Sequence, residues 1–360
     1  MGFDVATNVN NIEKGISGIQ KYEDASLLKI PFHAAIINAA DLDSAFSKIS
    51  SSKNFTKLEK MMLLALAPMV EKKLITERTA FILSTTKGNI TALENKNNPI
   101  EQAQLHTLAK TIADFFEFKT EPIVVSNACV SGILAVAVAK RLIQSELFDN
   151  AFVVAGDLVS EFVLSGFNSF QAMSDAPCKP YSANRTGVSL GEAAAAVLVT
   201  SDKENAKVEV IGDGSINDAN HISGPSRTGE GLFRSIQSAL SEANINSETI
   251  DYISAHGTAT PFNDEMEAIA FNRLGLENVP VNSLKGYYGH TLGASGLLET
   301  VIGIETLTNS KLYVSLGFDE MGVSQPINII QKNESKKCDY FLKTASGFGG
   351  CNTAVVFKKA

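Results

Sequence analysis

Two pairs of segments in this 360-residue chain line up with each other at nearly the same spacing. SGILAVAVAKRL, starting at Ser131, aligns with SGLLETVIGIET, starting at Ser295, an offset of 164 residues. GEAAAAVLV, starting at Gly191, aligns with GGCNTAVVF, starting at Gly349, an offset of 158 residues. Both offsets are a little under half the chain and the matches keep their order, which points to a duplicated unit of about half the protein. No linker rich in Pro, Ser or charge separates the halves. One compact body is therefore expected, with an N-terminal half over residues 1–200 and a C-terminal half over 201–360.

The units are built from alternating elements. TAFILST, EPIVVSN, NAFVVAGD, EAAAAVLVTS, KVEVIGDGS, DYISAHG, VPVNSL, DYFLKTAS and TAVVFKK are short, apolar or β-branched, and bounded by turn residues, as strands are. NFTKLEKMMLLALAPMVEKKL, GEGLFRSIQSALSEANI and ASGLLETVIGIETLTNSKL carry apolar residues at helical spacing. Strands alternating with helices predict an α/β protein with layered sheets.

Composition narrows the partners. At 44% hydrophobic the chain can bury a large core, and its net charge of −8 gives no overall attraction to nucleic acid or an anionic membrane. No apolar run reaches the ~18 residues of a membrane span. The start, MGFDVATNVNN, lacks the basic and apolar regions of a secretory signal, so a cytoplasmic location is expected. The four cysteines, at 129, 178, 338 and 351, form no CxxC and no regular spacing, against a zinc site or a disulfide framework.

EPIVVSNACVSGILAVAVAKRL, residues 121–142, places Cys129 where a buried strand passes into a helix. Unpaired N–H groups at a helix start carry partial positive charge, so a thiol there is expected to have a lowered pKa and to act as a nucleophile. Cysteine also often just fills core space, and this stretch alone admits both readings. YISAHGTATPFNDEMEA puts His256 directly after a strand, and VNSLKGYYGHTLGASG puts Lys285 and His290 ahead of a helix. Two of only five histidines thus stand in Gly-rich, polar turns at strand ends. A cysteine with two neutral imidazoles suits acyl transfer followed by stabilisation of a carbanion or enolate. A metal site is the other use of such a cluster, but no carboxylate or second thiol stands at the usual ligand spacings. In TASGFGGCNTAVVF, three glycines around Phe348 let backbone N–H groups approach a ligand as an oxyanion hole requires, although a tight strand-to-strand turn uses Gly as well.

Taken together, SNACVSG, HGTATPFND, KGYYGHTLGASG and GFGGCN resemble the four site motifs of the β-ketoacyl-acyl-carrier-protein synthases, in their order. GFNSFQAMS, KPYSANRTGVSLGEAAAAVLV and DANHISGPSRTG follow the same pattern, and the resemblance spans residues ~50 to 360. It implies a thiolase-like α/β fold of two pseudo-equivalent halves in an αβαβα arrangement, as a homodimer or as a heterodimer with a ketosynthase-like chain. It implies a decarboxylating condensation of an acyl group held on Cys129 with malonyl-acyl-carrier protein, in fatty-acid or polyketide-type synthesis. By motif position, His256 and His290 would assist decarboxylation and stabilise the enolate. Lys285 and Glu299 would be a charged pair organising the second histidine. Phe348 would gate the nucleophile, its N–H forming the oxyanion hole with that of Cys129. Thr258 and Thr260 would meet the phosphopantetheine arm of the acyl carrier protein, with no permanently bound cofactor, while Asp264 and Glu267 would hold the loop. Lys53, Lys57 and Lys60 would offer that acidic carrier a landing site. The alternatives are a non-elongating subunit of the chain-length-factor type, which generally lacks the active cysteine, and a thiolase-like acyltransferase.

Several stretches depart from the family pattern. The first strand looks shortened or missing, the segment between TTKGNITALE and EPIVVS is short, Gly286 and Tyr287 stand where Ser and a smaller residue are common, and Cys351 replaces a frequent Thr or His.

Overall fold

The computed structural model describes residues 1–94, 99–219 and 224–360. Four strands of the N-terminal half, β1 (Thr79–Ser84), β2 (Ile123–Val125), β3 (Asn150–Asp157) and β4 (Ala193–Thr200), form a sheet in the order β2-β1-β3-β4. The C-terminal half supplies β5 (Val208–Asn217), β6 (Tyr252–Ser254), β7 (Pro280–Asn282), β8 (Tyr340–Gly347) and β9 (Cys351–Lys359). These run in the order β7-β6-β8-β9-β5, with the short strand Asn328–Ile329 outside β7.

The two sheets repeat one plan. β1 pairs in parallel with β2 and β3, and β3 pairs antiparallel with β4. β6 likewise pairs in parallel with β7 and β8, and β8 antiparallel with β9. Strands β4 and β9 begin at Ala193 and Cys351, and the first long helices after β2 and β7 begin at Ser131 and Ser295, so both offsets of the sequence repeat fall on element starts. The plan is incomplete on one side. β9 carries β5 on its outer edge, whereas among the described residues no strand lies on the outer edge of β4. Residues ahead of β1 contribute the helix Val5–Glu13 and part of a separate sheet of Gln20–Tyr22, Phe32–Ala35 and Leu190–Gly191.

Six helices matter for the site: α1 (Lys57–Leu66), α2 (Ser131–Gln144), α3 (Glu161–Ser169), α4 (Glu230–Ala243), α5 (Pro261–Arg273) and α6 (Ser295–Asn309). α2 and α6 pack together between the sheets, α1 covers the outer face of the first sheet, and α4 that of the second. The result is an αβαβα stack, and it explains the continuous apolar strands: all of β1, and β3 beyond Asn150, are buried because both faces are covered. The crossing of α2 and α6 depends on two glycines that are themselves 164 residues apart. A Cβ on Gly132 would lie 2.6 Å from the Gly293 carbonyl oxygen, and one on Gly296 would lie 2.8 Å from the Ile133 nitrogen.

α1 opens on a capping box, with the Thr56 hydroxyl accepting from the Glu59 N–H and the Glu59 carboxylate accepting from the Thr56 N–H. It stops at Leu66, short of the long helical pattern expected, because Pro68 has no N–H to continue the ladder. No helix among the described residues is long and apolar enough to cross a membrane.

Candidate active site

Cys129 sits in a tight elbow between β2 and α2. Ala128 takes a left-handed backbone conformation, φ +44°, uncommon for a residue with a side chain. The elbow is held by the Ser131 hydroxyl, which accepts from the Asn127 N–H (2.7 Å) and donates to the Ala128 carbonyl (2.6 Å).

Three segments of the chain meet here. His256 leaves the end of β6 and Lys285 the end of β7; those strands are adjacent, with Ser254 opposite Asn282, so both residues emerge from one edge of the sheet. His290 belongs to the turn before α6, its N–H donating to the Ser189 carbonyl at 2.7 Å. Its Nε2 lies 3.0 Å from Cys129 Sγ and its Nδ1 3.0 Å from the Ser295 hydroxyl. The two imidazole rings stand edge to face, centroids 5.2 Å apart. One thiol and two ring nitrogens therefore lie within 4.8 Å of one another, all buried.

Burial sets the protonation of this cluster. Desolvation, then Lys285, then each other's company hold His256 well below the usual imidazole range; desolvation and then Lys285 do the same for His290. Both rings are neutral near pH 7. Cys129 departs from expectation: desolvation, aided by neighbouring Cys351 and opposed by Lys285 and Lys87, pushes its thiol up to about 12. The resting group is a thiol, with His290 Nε2 placed to take its proton when sulfur attacks.

Lys285 is fully buried and 2.8 Å from Glu299 Oε1. Its ammonium donates to the His256 carbonyl and lies 3.5 Å from His256 Nδ1. The pair therefore braces the first histidine rather than the second, because β6 and β7 deliver Lys285 and His256 side by side. Sequence reasoning missed the other half of this network. Lys343, fully buried on β8, lies 2.8 Å from Glu299 Oε2 and donates to the carbonyls of Ser254 and Thr344. A lysine inside the apolar run of DYFLKTAS was its only signal. The contact of Ser295 with His290 was missed as well, although the repeat had marked that residue as a helix start.

The GFGG turn between β8 and β9 lies against the nucleophile: a Cβ on Gly347 would be 3.0 Å from the Cys129 nitrogen and 2.8 Å from Cys351 Sγ. Gly349 and Gly350 are left-handed, φ +87° and +84°. Among the described residues no backbone carbonyl outside the regular elements accepts from Cys129 N–H or Phe348 N–H. The Phe348 ring packs on Phe167 and Phe170 of α3 and its end, centroids 5.5 and 5.4 Å away. Cys129, His256, His290, Thr258, Thr260 and Phe348 all line one cavity of about 420 Å³.

The loop after His256 is held from below. Glu267 accepts from the N–H groups of His256 and Gly257 at 2.8 and 2.7 Å, and Asp264 accepts from Thr258 and Tyr181 N–H at 3.0 and 2.7 Å. That leaves the Thr258 and Thr260 hydroxyls, 2.9 Å apart, on the cavity wall. Of the lysines singled out beside α1, Lys57 is drawn into an ion pair with buried Glu192, and Lys60 pairs with Asp43 at 2.6 Å. Residues 220–223, the NHIS of DANHISGPSRTG, lie outside the described residues.

Comparison with known proteins gives these geometries a context. Residues 4–205 match the family model described as beta-ketoacyl synthase, N-terminal domain, and residues 208–319 that of the C-terminal domain. A Schizosaccharomyces pombe protein provisionally named a mitochondrial 3-oxoacyl-acyl-carrier-protein synthase is 28% identical over 78% of this chain and 74% of its own length. The 3-oxoacyl-acyl-carrier-protein synthase 2 of Staphylococcus aureus is 31% identical over 65% of this chain, which spans 60% of that protein. Among solved structures, a chain of the ketosynthase–chain length factor complex of Xenorhabdus doucetiae superposes with a TM-score of 0.86 at 25% identity, covering 100% of this chain and 95% of that one. A thiolase-like stack matched along its whole length, with both family models in succession over 4–205 and 208–319, leaves one assignment: the chain belongs to the beta-ketoacyl synthase family.

Proposed function

We propose that the protein condenses an acyl group held on Cys129 with a malonyl group carried by an acyl carrier protein. The convergence of Cys129 Sγ with His256 and His290 inside one buried cavity carries this reading. In the first half-reaction Cys129 sulfur attacks the carrier thioester, its proton passes to His290 Nε2, and the carrier thiol leaves with that proton. The N–H groups of Cys129 and Phe348 receive the developing oxyanion. In the second, malonyl thioester enters along Thr258 and Thr260, whose hydroxyls suit the amide-bearing phosphopantetheine arm. Loss of carbon dioxide leaves an enolate, whose oxygen takes a hydrogen bond from the N–H of neutral His256. The enolate carbon then attacks the acyl-enzyme, forming a carbon–carbon bond, releasing the β-ketoacyl-carrier and returning the electron pair to sulfur. Neutral rings are the useful state, since His290 must accept the thiol proton at Nε2 and His256 must donate an N–H without a positive charge that would need solvation. Lys285, Glu299 and Lys343 act as positioning residues that hold His256 and keep the local potential positive.

Mixing the protein with an acyl-carrier donor and malonyl-carrier should give carbon dioxide and a β-ketoacyl product. Cys129→Ala should abolish the acyl-enzyme seen by intact mass. Condensation that persists in that variant would refute the mechanism. Pairing with a second ketosynthase-like chain is favoured by the X. doucetiae complex, in which a ketosynthase is bound to its chain length factor. A tight homodimer on size exclusion of the protein alone would count against it.

A further inference from the structure

The cavity that holds the nucleophile opens to water through an uncharged rim. Its floor, Cys129 with His256 and His290, is buried, while the exposed residues of its lining are Phe170, Gln171, Gly224, Pro261 and Phe262. Those five mark the mouth. Phe262, in the first turn of α5, is 75% exposed, more than any other large apolar side chain among the described residues, and Phe170, just past the end of α3, is 57% exposed. The Phe170 ring rests on Phe348, centroids 5.4 Å apart, whereas among the described residues no other ring or cation meets Phe262. Two phenyl groups, one from each half of the chain, are thus left in water at one opening, and apolar surface of that kind marks a place where something docks.

The cations around this opening are mostly committed elsewhere. Lys57 is held by Glu192 and Lys60 by Asp43, so of the three lysines expected to form a landing site only Lys53 stands outside an ion pair among the described residues. Arg185 reaches the Pro261 carbonyl, but its side chain is buried and also donates to the Ser182 and Gly322 carbonyls beside Asp264. Lys179 pairs with Asp319 at 3.0 Å. Arg227, one residue past the lining Ser226, is the exposed cation nearest in sequence to the mouth.

We propose that the acyl carrier is recognised by this aromatic rim: the face of the carrier at the root of its arm is apolar and seats on Phe262 and Phe170, and charge contributes little. The proposal rests on the condensation reading and specifies how its partner is chosen. Geometry commits the occupant, because an arm that reaches Cys129 past Thr258 and Thr260 must leave the cavity through the rim, so the body that carries it covers the rim. Thr260 caps α5 two residues ahead of Phe262, which makes the last hydroxyl on the arm's path and the first apolar contact of the carrier neighbours. Aromatic side chains are enriched at the centres of such contacts, whereas carboxylates pressed against phenyl rings would lose water without gaining a partner.

The test presents one acyl group, the one that loads fastest from free pantetheine, to the full chain both on pantetheine and on the acyl carrier protein of the same organism. The second-order rate constant of Cys129 acylation is read by intact mass. Phe262→Ser should slow loading from the carrier about tenfold or more, as expected for losing one buried phenyl group, and leave loading from pantetheine within about twofold. For the unaltered chain, loading from the carrier should hold within about twofold from roughly 50 to 500 mM salt, since apolar contact is not screened. Undiminished carrier loading in Phe262→Ser would overturn the proposal. So would equal slowing of both donors, which would place Phe262 on the path of the arm, or a carrier rate that falls about tenfold with salt, which would assign docking to charge. A changed elution volume of Phe262→Ser on size exclusion, with carrier loading intact, would give the rim to a second copy. Loading of the unaltered chain from pantetheine but not from the carrier would sink the docking alone; loading from neither would sink the condensation reading with it.

Discussion

Gly132→Ala tests the link between the central helices and the chemistry. The added methyl would sit 2.6 Å from the Gly293 carbonyl oxygen, 2.9 Å from the Leu297 nitrogen and 3.1 Å from Leu297 Cβ, and two of these are backbone atoms that cannot rotate away. Restoring an ordinary carbon–oxygen contact of about 3.3 Å requires α2 and the turn before α6 to separate by roughly 0.7 Å. Overpacking at a rigid site of this kind costs about 3 kcal/mol. In a protein of 360 residues, at about 2.1 cal/mol/K of unfolding entropy per residue, that is a fall in melting temperature of roughly 4 °C. The same shift acts on the site, because Cys129 lies just ahead of α2 and His290 just ahead of Gly293. It would lengthen the 3.0 Å Sγ–Nε2 approach by a similar amount, and misplacement on this scale costs roughly 10- to 100-fold in rate. Thermal unfolding and the rate of Cys129 acylation by intact mass measure both halves of the prediction. Gly166→Ala is the control: its Cβ would meet nothing within 4 Å, and replacing a helical glycine should stabilise by about 0.5–1 kcal/mol. A Gly132→Ala protein with unchanged melting temperature and acylation rate would refute the reasoning.

Other expectations concern charge. Because burial holds both histidines well below the usual imidazole range, condensation should show no protonation limb between pH 6 and 8, and a rate that falls through pH 6.5 would contradict neutral rings. Asp264 is raised from 3.8 to about 7, first by desolvation; its folded form binds the proton more tightly than the unfolded one, so its contribution to stability falls as pH rises from about 4 to about 7. The stability of wild type relative to Asp264→Asn, from denaturant titrations across that range, should decline with rising pH; a flat difference would place the carboxyl in an ordinary environment. Chelator treatment should leave acylation and condensation unchanged, and a loss of activity restored by zinc would assign the Cys129, His256 and His290 cluster to a metal.

Much of the plan was legible because it is local. The repeat offsets found Ser131, Ser295 and the two edge strands, and the Gly-rich turns found both histidines, since open backbone beside a strand end leaves a mark in sequence. What escaped depends on contacts between distant segments. Glu299 lies within reach of both Lys285 and Lys343 only after α6 packs beneath β8, and nothing near Lys343 in the chain announces a carboxylate. The thiol pKa was misjudged for a related reason. A helix start is visible in sequence, whereas the depth at which it is buried, here enough to outweigh the field of Lys285 and Lys87, is a property of the whole stack.

The central layer also constrains how such a chain can be divided. α2 belongs to the first half and α6 to the second, yet each is the floor on which the other rests, through Gly132 and Gly296. Severed between Thr200 and Val208, either fragment would present a bare helix flank to solvent. Two such pieces should recover shape only by finding one another, like a clasp whose parts have no closed form alone.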